Sequence, residues 1–262
     1  SLFVPLEHPR DRLLVNQVAM PGLELRCSDP ELEGAANTLC KAYELFCRRT
    51  DWHPGVQIWL EKNIPPGSGL GGGSSDAAVL LAYLHARCPA HSRLSQPELV
   101  QTAVQVGADV PFFLCNTPAW VTGIGDRVHP VRLALDRAWL LIVCPQVFVS
   151  TSRAYAAWDE LAAGNSFEPW LTNMEKKDSY SACASGRILW NSFESVVFTA
   201  HPVLRDMKRH ILQAGAGGCV LSGSGAALVG LFRNRKDCYR AGQSLENSQT
   251  KVFCVPLHGA GV

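Results

Sequence analysis

Between Pro65 and Ala78 the chain reads Pro-Pro-Gly-Ser-Gly-Leu-Gly-Gly-Gly-Ser-Ser-Asp-Ala-Ala, five glycines and three serines ahead of an alanine- and leucine-rich run. Glycine tolerates left-handed backbone angles and lets a ligand come close to the main chain. A helix that starts directly behind such a loop aims its first unpaired N–H groups and the positive end of its dipole at one spot, which suits phosphate best. Ser74 and Ser75 can add hydroxyl donors or a metal ligand. The candidate phosphate-binding residues are therefore Pro65, Pro66, Gly67, Ser68, Gly69, Leu70, Gly71, Gly72, Gly73, Ser74 and Ser75. The bland alternative is a flexible linker, but linkers rarely abut a strongly helical segment. Gly67, Gly69 and Gly72 also satisfy the dinucleotide fingerprint Gly-x-Gly-x-x-Gly. The strand ahead of them alternates, however, and no acidic residue stands at a strand end about 20 positions on. The lysine of a Walker loop is absent, because Gly73 runs straight into Ser74. Backbone and helix dipole must do the cradling.

Asp109 lies in Val-Gly-Ala-Asp-Val-Pro, residues 106–111. A hydroxyl attacking phosphate must lose its proton, and a placed carboxylate can accept it. An aspartate ahead of Val-Pro is as readily a turn or cap residue, and on the residues alone the two readings stand level. Ser222, Gly223, Ser224 and Gly225 lie between two apolar segments, the pattern of a hairpin turn. Asp76 falls in the first turn behind the glycine loop, where it complements the dipole or touches a metal. No metal ligand is assigned. His201 and His210 fall on a polar helix face, and His129 carries no role.

The elements around these residues alternate in kind. The first 29 residues carry short alternating segments and turn residues, which predict strands. Leu39, Ala42, Tyr43 and Phe46 recur at helical spacing behind a capping Asn37. Val56, Ile58 and Leu60 point one way and Gln57, Trp59 and Glu61 the other, a half-buried strand. Residues 74–88 predict a helix with Ser74 as its N-cap. Residues 95–107 predict another, with Pro97 in its first turn. Pro111 holds Val110 away from helical angles, so Asp-Val-Pro-Phe-Phe-Leu is not expected to continue it. Strands around a glycine turn follow at 119–131, then a buried strand near 138–145 and a polar, irregular stretch over 160–190. The last third reads helix (201–215), strand, glycine turn, strand (217–234), helix (235–247) and strand (251–257). That is a mixed α+β order with antiparallel hairpins, divided near residue 138 into a domain of 1–138 and one of 139–262.

Hydrophobic residues make up 47% of the 262, enough for a sizeable core. The net charge of +1 gives no global pull toward nucleic acid or a membrane. No apolar run approaches the ~18 residues of a membrane span, and nothing at the start resembles a signal peptide. The ten cysteines form no Cys-x-x-Cys pair and mostly sit in apolar runs. They read as buried thiols in a reducing compartment.

Taken together, these motifs resemble the GHMP kinases. The triple glycine followed by Ser-Ser-Asp-Ala-Ala is similar to the branch acting on 4-diphosphocytidyl-2-C-methyl-D-erythritol. Val-Gly-Ala-Asp-Val-Pro-Phe-Phe-Leu (106–114), Gly-Ile-Gly-Asp-Arg-Val-His-Pro-Val (123–131), Asn-Ser-Phe-Glu (191–194) and residues 215–232 match that branch in order and spacing. The resemblance implies a two-domain fold, ribosomal-protein-S5-like then ferredoxin-like. It implies ATP and Mg²⁺ as cofactors and a small-molecule cytidine diphosphate sugar alcohol as substrate, with no nucleic-acid or membrane partner. It implies that Asp109 is the base, that Ser222–Gly225 support the nucleotide loop, and that Tyr155 stacks on the cytosine. A partly buried core tyrosine is the other reading of Tyr155. Bacterial cytoplasm or plastid stroma is the implied setting. The branch also carries Lys-x-Asn-Leu and Gly-Tyr-His, and neither occurs here. The expectation is a first domain lacking one or two N-terminal strands, with reduced activity. Lys41 and Lys62 stand in other contexts and are assigned no role. Two alternatives are another GHMP kinase, such as homoserine or mevalonate kinase, and a nucleotide- or sugar-binding sensor on the same fold.

Overall fold

The computed structural model describes residues 1–132, 138–164 and 189–257. They form two compact units, one of Ser1–Pro66 and Gly71–Arg132, the other of Gly67–Leu70 and the described residues from 138 on.

In the first unit, β1 (Leu2–Phe3), β2 (Arg12–Val18) and β3 (Gly22–Cys27) precede α1 (Thr38–Thr50), and β4 (Gly55–Glu61) follows it. β4 is the centre of a three-stranded sheet, antiparallel to β2 and parallel to β3. Its alternation is as the sequence predicts. Val56, Ile58 and Leu60 are buried and Trp59 is exposed. The buried face packs with Leu39, Ala42 and Phe46 of α1 and with Leu80, Leu81 and Leu84 of α2 (Gly72–Arg87). Asn37 caps α1, its side-chain oxygen accepting from the Leu39 N–H at 2.9 Å. α3 (Gln96–Val106) is stapled at its start by Glu98, which accepts from the Ser95 N–H at 2.7 Å. β5 (Ala119–Thr122) and β6 (Arg127–Pro130) form the expected hairpin, and β1 pairs with β5.

In the second unit β7 (Ala138–Pro145), β8 (Gly218–Leu221), β9 (Leu228–Phe232) and β10 (Thr250–Leu257) make an antiparallel sheet of order β10-β7-β9-β8. α5 (Thr151–Gly164), α6 (Glu194–Ala200) and α7 (Pro202–Gln213) lie between β7 and β8 in the chain, and α8 (Arg235–Leu245) between β9 and β10. Leu141, Val143, Leu204, Ile211, Phe232 and Cys238 are among its core residues.

Two expectations change. α2 starts at Gly72 behind Gly71, not behind Ser74, because Gly71 takes left-handed angles (φ 72°) and ends the loop three residues early. Val110 is helical, since Val110–Cys115 is a short helix, α4. Pro111 is tolerated in a first turn, where its missing N–H has no helical partner to lose. α5 and α6 were not legible in the composition. Most of the 160–190 stretch lies outside the described residues, as does Cys183.

The nine described cysteines are free thiols. No helix among the described residues is long and apolar enough to cross a membrane.

Candidate active site

β4 delivers the chain to the glycine loop. Gly67, Gly69 and Gly71 have φ of 67°, 76° and 72°, angles that strain any residue with a side chain. A Cβ on Gly71 would also meet the Phe113 ring of α4 at 2.7 Å. A glycine cap has no side chain to turn back on its helix. The first helical bond is from the Ser75 N–H to the Gly71 carbonyl, at 2.8 Å. The N–H groups of Gly72, Gly73 and Ser74 therefore have no acceptor among the described residues. Ser75 turns its hydroxyl onto the Gly72 carbonyl at 2.7 Å. The Ser74 hydroxyl has no partner among the described residues. Thr38 holds the Gly73 carbonyl at 2.8 Å. Three convergent N–H groups and a free hydroxyl at a helix start form an anion cradle.

Asp109 belongs to the turn beside this cradle. A Cβ placed on Gly107 would stand 4.0 Å from the Ser74 hydroxyl. Asp109 is the residue before α4, but its side chain caps nothing. Among the described residues its carboxylate makes no hydrogen bond or ion pair. Burial pushes its pKa above the ordinary carboxylate value. An unpaired, desolvated carboxylate can accept a proton; of the bland reading the turn holds, since Asp109 lies in one, but its side chain makes no cap.

Sequence reasoning missed the charges beneath the loop. Lys62, just past β4, donates to Asp11 and, at 3.1 Å, to Asp76. Asp11 also accepts from the Asn63 and Ile64 N–H groups at 2.7 and 2.8 Å. The three side chains are 7%, 1% and 5% exposed for Lys62, Asp11 and Asp76. The cluster joins the strand end before the loop to the first turns of the helix after it. Asp76 is pushed up to about 6, first by burial and then by Asp11, against the pull of Lys62. Its carboxylate is engaged with Lys62. Lys41 is engaged too, donating to the Val106 carbonyl at 2.9 Å.

The other half of the loop is knitted into the second unit. Ala227 N–H donates to the Ser68 carbonyl and Ser222 Oγ to the Gly69 carbonyl, each at 2.9 Å. The turn Ser222–Gly225 thus touches Gly69 directly, and Ala227, two residues past it, holds Ser68. Ser224 shares a 2.8 Å hydrogen bond with Thr151. Asn191 and Glu194, to which the sequence attached no role, both bond this turn or the strand entering it. Tyr155, on α5, is 54% exposed with its ring edge-on to Phe193 at 4.7 Å, so it is not a core residue. Of the two prolines opening the loop, Pro65 is partly buried and Pro66 exposed, and Leu70 is partly buried.

A glycine-cradled anion site next to a turn that carries an unpaired carboxylate is suited to moving a phosphoryl group onto a hydroxyl. The family comparisons agree. Residues 37–117 match the GHMP kinases N terminal domain and residues 171–249 the GHMP kinases C terminal. A 4-diphosphocytidyl-2-C-methyl-D-erythritol kinase of Solidesulfovibrio magneticus is 40% identical over 98% of this chain and 88% of its own. One from Nitratidesulfovibrio vulgaris is 37% identical over 97% of this chain and 88% of its own. The crystal structure of a 4-(cytidine 5'-diphospho)-2C-methyl-D-erythritol kinase superposes with a TM-score of 0.80 at 33% identity, covering 99% of this chain and 90% of that one. A homoserine kinase from Cytophaga hutchinsonii shares the fold, with a TM-score of 0.74 at 20% identity. The chain belongs to the GHMP kinase superfamily and has its α+β two-domain fold. It is a small-molecule kinase, and within the superfamily its similarity falls on the diphosphocytidyl-methylerythritol kinases.

Proposed function

We propose that the protein transfers the γ-phosphoryl group of ATP to the 2-hydroxyl of 4-diphosphocytidyl-2-C-methyl-D-erythritol, a step of non-mevalonate isoprenoid precursor synthesis. The observation that carries the reading is the set of unpaired N–H groups at Gly72, Gly73 and Ser74 next to the turn of unpaired Asp109. The names and identities of the relatives above support the substrate.

In this reading Pro65–Ser75 form the nucleotide loop, and the N–H groups behind Gly71 bind phosphate oxygens. Asp109 takes the proton of the attacking hydroxyl. Desolvation raises its basicity, which favours that transfer. Tyr155 offers an exposed ring face for the cytosine. Ser222, in the Ser222–Gly225 turn, holds the Gly69 carbonyl of the loop. Among the described residues no group of three His, Cys, Asp or Glu side chains could hold a metal ion. Such a donor set fits a magnesium carried by the nucleotide, which needs only one or two protein oxygens. The Ser74 hydroxyl is free for it, while Asp76 has one carboxylate oxygen committed to Lys62. Magnesium held there would supply positive charge against the phosphate oxygens.

The four-stranded sheet runs strand, helices, strand, strand, helix, strand in the order β10-β7-β9-β8. That pattern supports a ferredoxin-like reading of residues 139–262. Residues 1–138 are read as the S5-like domain, with Gly67–Leu70 counted with the second unit.

A substrate panel tests the assignment. Diphosphocytidyl-methylerythritol, homoserine and mevalonate are offered with MgATP, and kcat/KM is compared. The reading expects the first to lead by at least about a hundredfold. A lead for either of the others would replace it.

A further inference from the structure

Asn191 stands just ahead of α6 with both hydrogens of its side-chain amide committed. One goes to the Leu221 carbonyl at 2.8 Å, the other to the Gly223 carbonyl at 2.7 Å. Its own oxygen accepts from the Phe193 N–H at 3.0 Å, which fixes the direction in which the amide points. Three residues on, Glu194 accepts from the Leu221 N–H at 2.9 Å and is itself held by Lys208 at 2.6 Å. The end of β8 and the turn behind it are thus gripped from one side by two side chains of one short segment. The turn braces itself as well, through Gly225 N–H to Ser222 O at 2.9 Å and Ser222 N–H to Ala227 O at 2.8 Å.

The same turn holds the glycine loop. Ser222 Oγ and Ala227 N–H take the carbonyls of Gly69 and Ser68. Gly69 has no room for a side chain, because the Ser222 carbonyl lies against its Cα. A shift of the turn must therefore move Gly69, three residues ahead of the first unpaired N–H of the cradle.

We propose that Asn191 is a positioning residue for nucleotide binding. Its amide sets the place of the Ser222–Gly225 turn, and the turn sets the place of Ser68 and Gly69. The inference rests on reading Pro65–Ser75 as the nucleotide loop. Asn191 does not touch the nucleotide in this account. It acts through two carbonyls, so losing it weakens phosphate binding in ground and transition states alike. Glu194 has the same function from the N–H side of Leu221.

The test is direct ATP titration of the whole protein, by calorimetry, in wild type, Asn191→Ala and Asn191→Ser, with thermal melting of each. Removing the amide leaves two carbonyls without their donors, and the expected rise in the ATP Kd is about tenfold. Asn191→Ser restores one donor and is expected to fall between wild type and alanine. In steady state, KM for ATP rises with the Kd, while kcat and the acceptor KM stay within about twofold. A general loss of structure would move both KM values together. Ser222→Ala supplies the second arm. If the amide acts through the turn, the Kd effects of Asn191→Ala and Ser222→Ala are less than multiplicative in the double variant. Fully multiplicative effects overturn the proposal. So does an ATP Kd within about twofold of wild type in a folded Asn191→Ala protein. Wild-type protein that binds no ATP overturns the nucleotide-loop reading itself, and the proposal with it.

Discussion

Replacing Lys62 with methionine keeps its length and removes its charge, and the consequences can be worked out partner by partner. Asp11 keeps two donors, the N–H groups of Asn63 and Ile64 at 2.7 and 2.8 Å. Asp76 keeps none, since Lys62 is its partner. The cost is therefore that of one buried carboxylate left unpaired, about 3–5 kcal/mol. At about 2–4 °C of Tm for each kcal/mol in a chain of this size, melting should fall by about 6–20 °C. The pH dependence carries the diagnostic sign. Asp76 already titrates at about 6, above its ordinary 3.8. A carboxyl whose folded pKa is raised binds its proton more tightly when folded. Its contribution to stability is full below the unfolded value and is lost as pH rises through the folded one. Without Lys62 the folded pKa climbs further. The variant's deficit should be largest near pH 8 and shrink toward about pH 5, where Asp76 is protonated in both proteins. Adding Asp76→Asn to Lys62→Met should recover at least about half of the lost Tm near pH 8. Differential scanning calorimetry across that range reads all of this. A deficit of equal size at both ends of the range would refute the reasoning, because the unpaired charge would not be its source.

Asp109→Asn is expected to lower kcat by about a hundredfold to ten-thousandfold while the ATP Kd stays near wild type, measured by steady-state kinetics and calorimetry. Turnover in the wild type should decline as pH falls through the raised pKa of Asp109, because the protonated carboxyl is no base. Gly71→Ala forces a side chain to φ 72° and into the Phe113 ring. It should cost about 1–2 kcal/mol of stability and raise KM for ATP well beyond the acceptor KM. Asn37→Ala removes the cap of α1, and a loss of about 1 kcal/mol in a urea melt is expected, with kinetics unchanged.

Much of the site is legible in the sequence because its chemistry is local. Three positive-φ positions over five residues demand glycine, so the composition of Gly67–Gly71 announces the loop it makes. The alternation of Val56, Ile58 and Leu60 likewise gives β4 and its buried face. The start of α2 was misplaced because Ser74 is a better cap by residue type, whereas the backbone had already turned at Gly71. The Asp11–Lys62–Asp76 cluster is illegible for a different reason. Asp11 reaches Lys62 through the antiparallel register of β2 on β4, where Arg12 faces Glu61. No local pattern spanning a separation of 51 positions encodes that meeting. Asn191 is hidden in the same way, since its partners at 221 and 223 lie across the second unit's core sequence. Residue type could say that a buried lysine or an asparagine would need partners, but not which.

Phosphoryl transfer from the glycine-loop site to one particular hydroxyl is read by incubating the chain with MgATP and 4-diphosphocytidyl-2-C-methyl-D-erythritol. Product is followed by mass, and phosphorus and carbon NMR locate the new phosphate. The account predicts a singly phosphorylated product with the phosphate on the 2-hydroxyl, formed by wild type and lost in Asp109→Asn. Folded, ATP-binding protein that yields no such product, or an Asp109→Asn variant that still makes it at the wild-type rate, would contradict the account.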